Sequence, residues 1–232
     1  MDRKKLLFDL LDQFKLKAEI KEKFNLFVEE IYLYNQKVNL TGITNYYQFL
    51  DKNIYDSLLI LKLNIIQEQT TILDVGTGGG FPGLLLAIIY EKINFILIDS
   101  IKKKTNWLIY IVEKLALKNV TIINDRIENL SDYEEKIDLL LARAVSKLPL
   151  LLEISTFLLK KDAYSIFYKG KNYLEESKKI NQNFLEKRGL RLEHIYKDKL
   201  LDNSERYFLL FKRINLNYKK EMINYQRIKK II

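Results

Sequence analysis

The chain has 232 residues and no cysteine, which excludes disulfides, thiolate metal sites and cysteine nucleophiles. Hydrophobic residues at 48% and charged residues at 30% exclude a disordered chain and fit one globular unit. Lys and Arg number 39 against 30 Asp and Glu, a formal net charge of +9 that suits a polyanionic partner such as nucleic acid and equally fits a Lys- and Asn-rich background composition.

The N-terminus begins Met1-Asp2-Arg3-Lys4-Lys5, and Asp9 and Asp12 interrupt what would be the apolar part of a signal peptide. Apolar runs such as Leu84 to Ile89 fall well short of the roughly 20 residues that span a bilayer. A cytoplasmic protein and a monomer are expected. The segment from about Leu6 to Leu63 reads as helical, with Phe24, Phe27, Val28 and Ile31 near helical spacing.

From Thr70 short β-branched or apolar runs alternate with longer amphipathic ones. Strands are predicted at Thr71–Val75, Phe95–Ile98, Val120–Ile123, Ile137–Leu141, Tyr164–Tyr168, Leu190–Tyr196 and Tyr207–Phe211. Helices are predicted at Pro82–Tyr90, Lys103–Leu117, Leu150–Leu159 and Tyr173–Arg188, with Pro82 at a first helical position. This alternation predicts an α/β, Rossmann-like fold, a mostly parallel seven-stranded sheet with helices on both faces, its last two strands forming a hairpin at one edge. The expected organisation is a single unit, with a helical extension over 1–66, an α/β core over 67–214 and a basic tail over 215–232 that carries Lys219, Lys220, Arg227, Lys229 and Lys230.

The most informative stretch runs Ile72-Leu73-Asp74-Val75-Gly76-Thr77-Gly78-Gly79-Gly80-Phe81-Pro82-Gly83. It follows a strand and opens a helix, the context of a nucleotide-binding loop. Gly78-x-Gly80-x-x-Gly83 matches the dinucleotide fingerprint, so a nicotinamide cofactor is one reading. Asp74 and Gly76 precede it, giving the acidic-x-Gly-x-Gly-x-Gly pattern of S-adenosylmethionine enzymes. That ligand has no pyrophosphate for a carboxylate to repel, and its methionine end can use the acid. Asp99 closes the second strand about twenty residues on, where a carboxylate can accept both ribose hydroxyls. Arg143 follows the fourth strand, whose end points into the ligand crevice.

These residues resemble the bacterial glucose-inhibited-division protein B (GidB) family, RsmG-like methyltransferases of small-subunit (16S) ribosomal RNA that modify guanine N7. The resemblance rests on Tyr34-Asn35 with Asn39-Leu40-Thr41, Asp56-Ser57-Leu58, Asp74 through Gly83 and Leu97-Ile98-Asp99-Ser100. It continues through Lys103-Lys104, Trp107-Leu108, Asn119-Val120, Arg126-Ile127-Glu128, Ala142-Arg143-Ala144, Lys169-Gly170 and Glu205-Arg206-Tyr207. The family usually has Trp where Tyr34 stands and often His where Asn53 stands. The resemblance implies S-adenosyl-L-methionine as cofactor, with S-adenosyl-L-homocysteine as product and no metal. It implies that Gly76 and Phe81 contact that cofactor, alongside Asp74, Gly78, Gly80 and Asp99, that Ile127 and Glu128 flank the adenine, and that Arg143 lies beside both cofactor and target base.

Guanine N7 offers an in-plane lone pair with no proton to remove, so no general base is expected and Arg143 would position the base, donating to O6. The chain lacks the cysteine of pyrimidine C5 methylation, and Leu141-Ala142-Arg143-Ala144 is not the Pro-Pro-aromatic turn that aligns an exocyclic amine. Lys102, Lys103 and Lys104 at a helix start, with Lys147, Lys169 and Lys171 near strand ends, are the candidate RNA contacts; a solvated face is the alternative. His194 reads as a surface residue and Trp107 as core. A methyltransferase on another RNA, a protein or a small molecule, and a non-catalytic RNA-binding or ribosome-assembly factor, remain as alternatives.

Overall fold

The computed structural model describes residues 2–36, 38, 40–66 and 70–215. The basic cluster at 219–230 therefore lies outside the described residues. Seven strands form one sheet in the order β3-β2-β1-β4-β5-β7-β6. They are β1 (Thr71–Val75), β2 (Asn94–Ile98), β3 (Val120–Ile123), β4 (Ile137–Arg143), β5 (Leu159–Lys169), β6 (Leu190–Lys199) and β7 (Glu205–Arg213). β1 to β5 pair in parallel, while β7 lies antiparallel between β5 and β6.

Both faces of the sheet are covered, which is why the central strands are apolar runs rather than alternating ones. One face meets α1 (Arg3–Asp12), α2 (Ala18–Asn35), α5 (Gly83–Ile89) and α6 (Lys102–Lys114), and its core contains Phe24, Phe27, Leu84, Trp107, Ile72 and Leu97. The other face meets α7 (Leu148–Leu158), with Leu151 and Leu152 packing against Leu73, Leu140 and Phe167. The N-terminal helices thus cover the sheet. Between α2 and the sheet, short helical turns run from α3 (Tyr46–Phe49) through a π-helical stretch Leu50–Tyr55 to α4 (Asp56–Leu58).

Several local expectations differ from the structure. The helical run ends at Asn35, whose side chain then organises the next loop: Oδ1 accepts from Leu40 N at 2.7 Å and Thr41 N at 2.9 Å, and Nδ2 donates to Thr41 O at 3.0 Å. The predicted helix Tyr173–Arg188 is two, α8 (Tyr173–Ser177) and α9 (Gln182–Glu186). Asn181 breaks it by taking the N-cap of α9, its side chain accepting from Phe184 N at 2.8 Å. α5 begins at Gly83, with Pro82 in the capping position instead of the first turn. β5 starts five residues before its expected Tyr164, because the chain passes directly from α7 into the strand at Leu159, which pairs with Ile137 of β4.

The strand order reverses direction between β1 and β4, on either side of which the crossovers run to opposite faces. In open parallel sheets ligands bind outside the carboxyl ends of the strands at such a point.

Candidate active site

Two adjoining cavities open along those carboxyl ends. The first, about 320 Å³, is lined by Gly76, Asp99, Asp125, Ile127, Glu128 and Ile154 among others. The second, about 700 Å³, is lined by Thr41, Asn53, Asp56, Phe81, Arg143 and Arg206 among others. Gly76, Lys104, Ala144, Val145 and Ser146 line both, so the turn after β1 and the turn after β4 meet at the junction.

The glycine loop takes its shape from its own backbone and from two side chains beneath it. Gly76, Gly78 and Gly80 have φ of 62°, 60° and 103°, which L side chains rarely adopt. A Cβ on Gly76 would also lie 2.7 Å from Val145 Cγ2. Trp107, fully buried as core, donates Nε1–H to Gly79 O at 3.1 Å. Phe27 packs edge-on to Phe81 at 5.6 Å between centroids, a contact type worth about 0.5–1.5 kcal/mol beyond area burial. Asp99 accepts from Gly78 N at 3.0 Å and from Ile101 N at 2.9 Å. An ionised carboxylate has about four acceptor sites, so capacity for hydroxyl donors remains on Asp99.

Asp74 is placed differently from the expectation that it meets a ligand. It is fully buried, lines neither cavity, and its Oδ2 accepts from Gly83 N at 2.8 Å, anchoring the start of α5. Gly83 must lack a side chain because its Cβ would lie 2.6 Å from Asp74 Cβ. Burial pushes the Asp74 carboxyl up to about 6, against the opposing pull of Thr77, Gly83 N–H and Arg143. Because the folded value lies above the ordinary 3.8, this group's stabilising contribution is present below pH about 4 and is lost as pH rises through about 6. Asp74→Asn keeps an acceptor for Gly83 N–H and removes that loss. The difference in Tm between variant and parent is expected to move in favour of the variant from pH about 4 to pH about 7; a difference independent of pH would show that Asp74 does not titrate there.

Arg143 stands at the end of β4 and is tied on three sides. Its Nη1 donates to Lys52 O at 2.7 Å and to Asp56 Oδ2 at 3.0 Å, its Nη2 to Asn53 Oδ1 at 3.3 Å, and its guanidinium lies over the Phe81 ring at 5.3 Å. The π-helical register delivers these partners: Asp56 N–H bonds to Asp51 O, five residues back, while Lys52 O meets Arg143. Asp56, 1% exposed, also receives Arg206 through two bonds, Nε to Oδ1 at 2.6 Å and Nη2 to Oδ2 at 2.7 Å. One buried carboxylate therefore holds two guanidinium groups on the wall of the second cavity.

The candidate lysines separate into two sets. Lys102 and Lys103 are exposed at the start of α6, and Lys147 and Lys171 are exposed as well. Lys104 turns inward, 3.7 Å from Asp99 Oδ2. Lys169 is committed within the protein, bonding Ser146 O at 2.8 Å and Glu176 Oε2 at 2.6 Å. Glu176 also accepts from Leu148 N at 2.7 Å, which fixes the turn that roofs both cavities. His194 lies exposed on the outer strand β6, its ring tilted against that of Tyr196 with centroids 4.1 Å apart.

Asp56, Arg206, Asn53 and Val145 belong to the site and are given no role by spacing. The signal for Asp56 is an acid within the apolar run Ile54 to Ile60, which needs a cationic partner once buried. Arg206 lies 150 residues from Asp56, so nothing local points to it.

The sheet order and the cavities at its carboxyl edge define the Rossmann-like fold of S-adenosylmethionine-dependent methyltransferases. Solved structures agree. A SAM-dependent methyltransferase from Aquifex aeolicus superposes with a TM-score of 0.55 at 23% identity, covering 68% of this chain and 90% of that one. TYW2 of M. jannaschii, solved in complex with AdoMet, superposes at 0.56 and 16% identity, covering 75% and 80%. A family model described as GidB, rRNA small subunit methyltransferase G, matches residues 20–200, and the chain belongs to that family. Ribosomal RNA small subunit methyltransferase G of Mycoplasma capricolum subsp. capricolum is 38% identical over 217 residues, 94% of this chain and 93% of that protein. The protein of the same name from Thermotoga maritima is 37% identical over 193 residues, 83% of this chain and 79% of that one.

Proposed function

We propose that the protein transfers the methyl group of S-adenosyl-L-methionine to N7 of a guanine in small-subunit ribosomal RNA. The observation that carries this reading is the junction of two cavities at Gly76 and the 144–146 turn, with Asp99 in the first and Arg143 in the second. Family membership supports the ribosomal RNA substrate.

The residues present fit the cofactor. Gly76 leaves room where a Cβ would meet Val145, and Asp99 retains acceptor capacity for ribose hydroxyls at the expected strand end. Ile127 and Glu128 lie on the wall of the same cavity, where an adenine would stack and donate. When bound, S-adenosylmethionine supplies a methyl group on a positively charged sulfur. The protein's own task is alignment, which on its own accounts for a large part of the barrier in bimolecular displacements. Guanine N7 attacks with a lone pair and loses no proton, so the reaction asks for no general base, and Asp56, the carboxylate beside Arg143, is engaged by two guanidinium groups. Arg143, held by Asp56, Asn53 and Lys52 O, is a fixed donor for O6.

Asp99→Ala is expected to weaken S-adenosylmethionine binding by about 10- to 100-fold, since hydrogen bonds to a charged group are worth about 1.5–3 kcal/mol. Calorimetric titration checks this, and an unchanged affinity would remove Asp99 from the cofactor site. The position of the methyl group is tested by reduction and aniline treatment of the labelled rRNA. Chain scission at one guanine is the expected outcome, because only a ring methylated at N7 opens in this way. A stable label at an exocyclic amine or ribose would contradict the N7 assignment.

A further inference from the structure

We propose that Arg206 grips a backbone phosphate of the target RNA with its Nη1 edge while Asp56 holds its other edge. The inference rests on the proposed function and goes beyond it by naming a residue of β7, outside the parallel part of the sheet, as part of the RNA site.

Charge balance is the starting point. The second cavity is lined by six cations, Lys52, Lys104, Arg143, Lys147, Lys169 and Arg206, against two carboxylates, Asp56 and Glu176. Three of these cations have their own acids: Lys52 pairs with Asp51 and Asp202, Lys104 with Asp99, and Lys169 with Glu176, while Lys147 is exposed to solvent. Arg143 and Arg206 have one acid between them, Asp56. The pair therefore keeps a residual positive charge on side chains that are only 11% and 17% exposed, where it is screened less than on an open surface. An anion placed there would complete the cluster.

The hydrogen bonds say which of the two arginines has a whole terminal amino group left for a phosphate. Arg143 uses Nη1 twice and Nη2 once. Arg206 uses Nε and Nη2 on Asp56, and Nη1 with its two N–H groups has no partner among the described residues. A guanidinium clamped by one edge presents the other at fixed orientation, a geometry that matches phosphate oxygens. Its place along the sheet fits the same reading. β7 is two strands beyond β4 on the side away from β1 and β2, roughly 10 Å from the strand of Arg143. A base lying against Arg143 thus has its ribose-phosphate chain to place outside the cofactor half, where Arg206 stands. The methyl-transfer geometry gives Arg206 no role of its own.

The test is the binding of unmodified small-subunit rRNA as a function of KCl concentration, with Arg206→Gln and Arg206→Lys beside the parent. Arg206→Gln is expected to bind about 10-fold more weakly and to lower the slope of log Kd against log salt by about 0.7–0.9, the value for one phosphate contact. Its affinity for S-adenosylmethionine should match the parent's. Arg206→Lys keeps the charge and should keep the parental slope, with weaker binding from the lost fork. A parental slope in Arg206→Gln would overturn the inference, as would a slope lowered by a full contact in Arg206→Lys, which remains decisive should the glutamine variant not fold. Failure of the parent to bind or methylate rRNA would instead overturn the proposed function, which separates the two.

Discussion

Arg143→Ala is expected to lower kcat/KM for rRNA methylation by about 100-fold or more while S-adenosylmethionine affinity changes little. The magnitude reflects the contribution of alignment: displacement of a reacting group by about 1 Å costs on the order of 100-fold. Arg143 is held by Lys52 O, Asp56 and Asn53 and covered by Phe81, so its position relative to the cavity junction is fixed before any substrate arrives. The alanine variant loses the donor and also frees Asn53 and the π-helical segment to relax. Arg143→Lys separates these effects, because it restores a charge for Asp56 without the fork that reaches three partners at once. Steady-state kinetics with parent and variants decides the matter. Unchanged turnover in Arg143→Ala with normal cofactor binding would remove Arg143 from the reaction.

The second large effect concerns stability. Asp56→Ala is expected to destabilise the protein by about 3 kcal/mol, the lower end of the cost of removing one partner from a buried ion pair. The lower end applies because Arg143 and Arg206 retain 11% and 17% exposure and can recover some hydration. For a chain of this size that corresponds to a fall in Tm of roughly 6–12 °C. Two guanidinium groups would then face each other with no acid between them, so the loss should be smaller at high salt. Thermal unfolding of parent and variant at low and high KCl measures both. A Tm within about 1 °C of the parent would mean that the cluster does not tie the helical extension to the sheet.

That tie is also the part of the molecule least visible in its sequence. β1 and β3 fall where apolar, β-branched runs bounded by turn residues predict them, and the Gly76–Gly83 loop follows β1 as its glycine spacing requires. Asp99 likewise sits at the end of β2, because a strand buried on both faces leaves its first polar residue at the edge. Other features depend on contacts across long stretches of chain. Arg143 is legible as a charge at a strand end, yet its partners lie 87 to 91 residues away on a helix whose π-helical register no spacing rule reveals. Lys169 reads as a candidate RNA contact and is paired with Glu176 of α8, seven residues further on. Asp74 shows the opposite case. Its place in an acidic-glycine pattern suggests ligand contact, while its environment makes it the anchor of α5. A residue at the centre of a motif can serve the loop's shape instead of its ligand.

The central claim, S-adenosylmethionine-dependent methylation of small-subunit rRNA, is tested most directly by transfer of labelled methyl from S-adenosylmethionine to small-subunit rRNA taken from cells lacking this protein. The rRNA is supplied both naked and as assembled subunits, with Arg143→Ala as the control. Incorporation approaching one methyl group per rRNA with the parent, confined to one guanine and nearly absent with Arg143→Ala, is the expected result. No transfer to either form, from protein that binds S-adenosylmethionine in a titration, would contradict it and assign the site to another substrate.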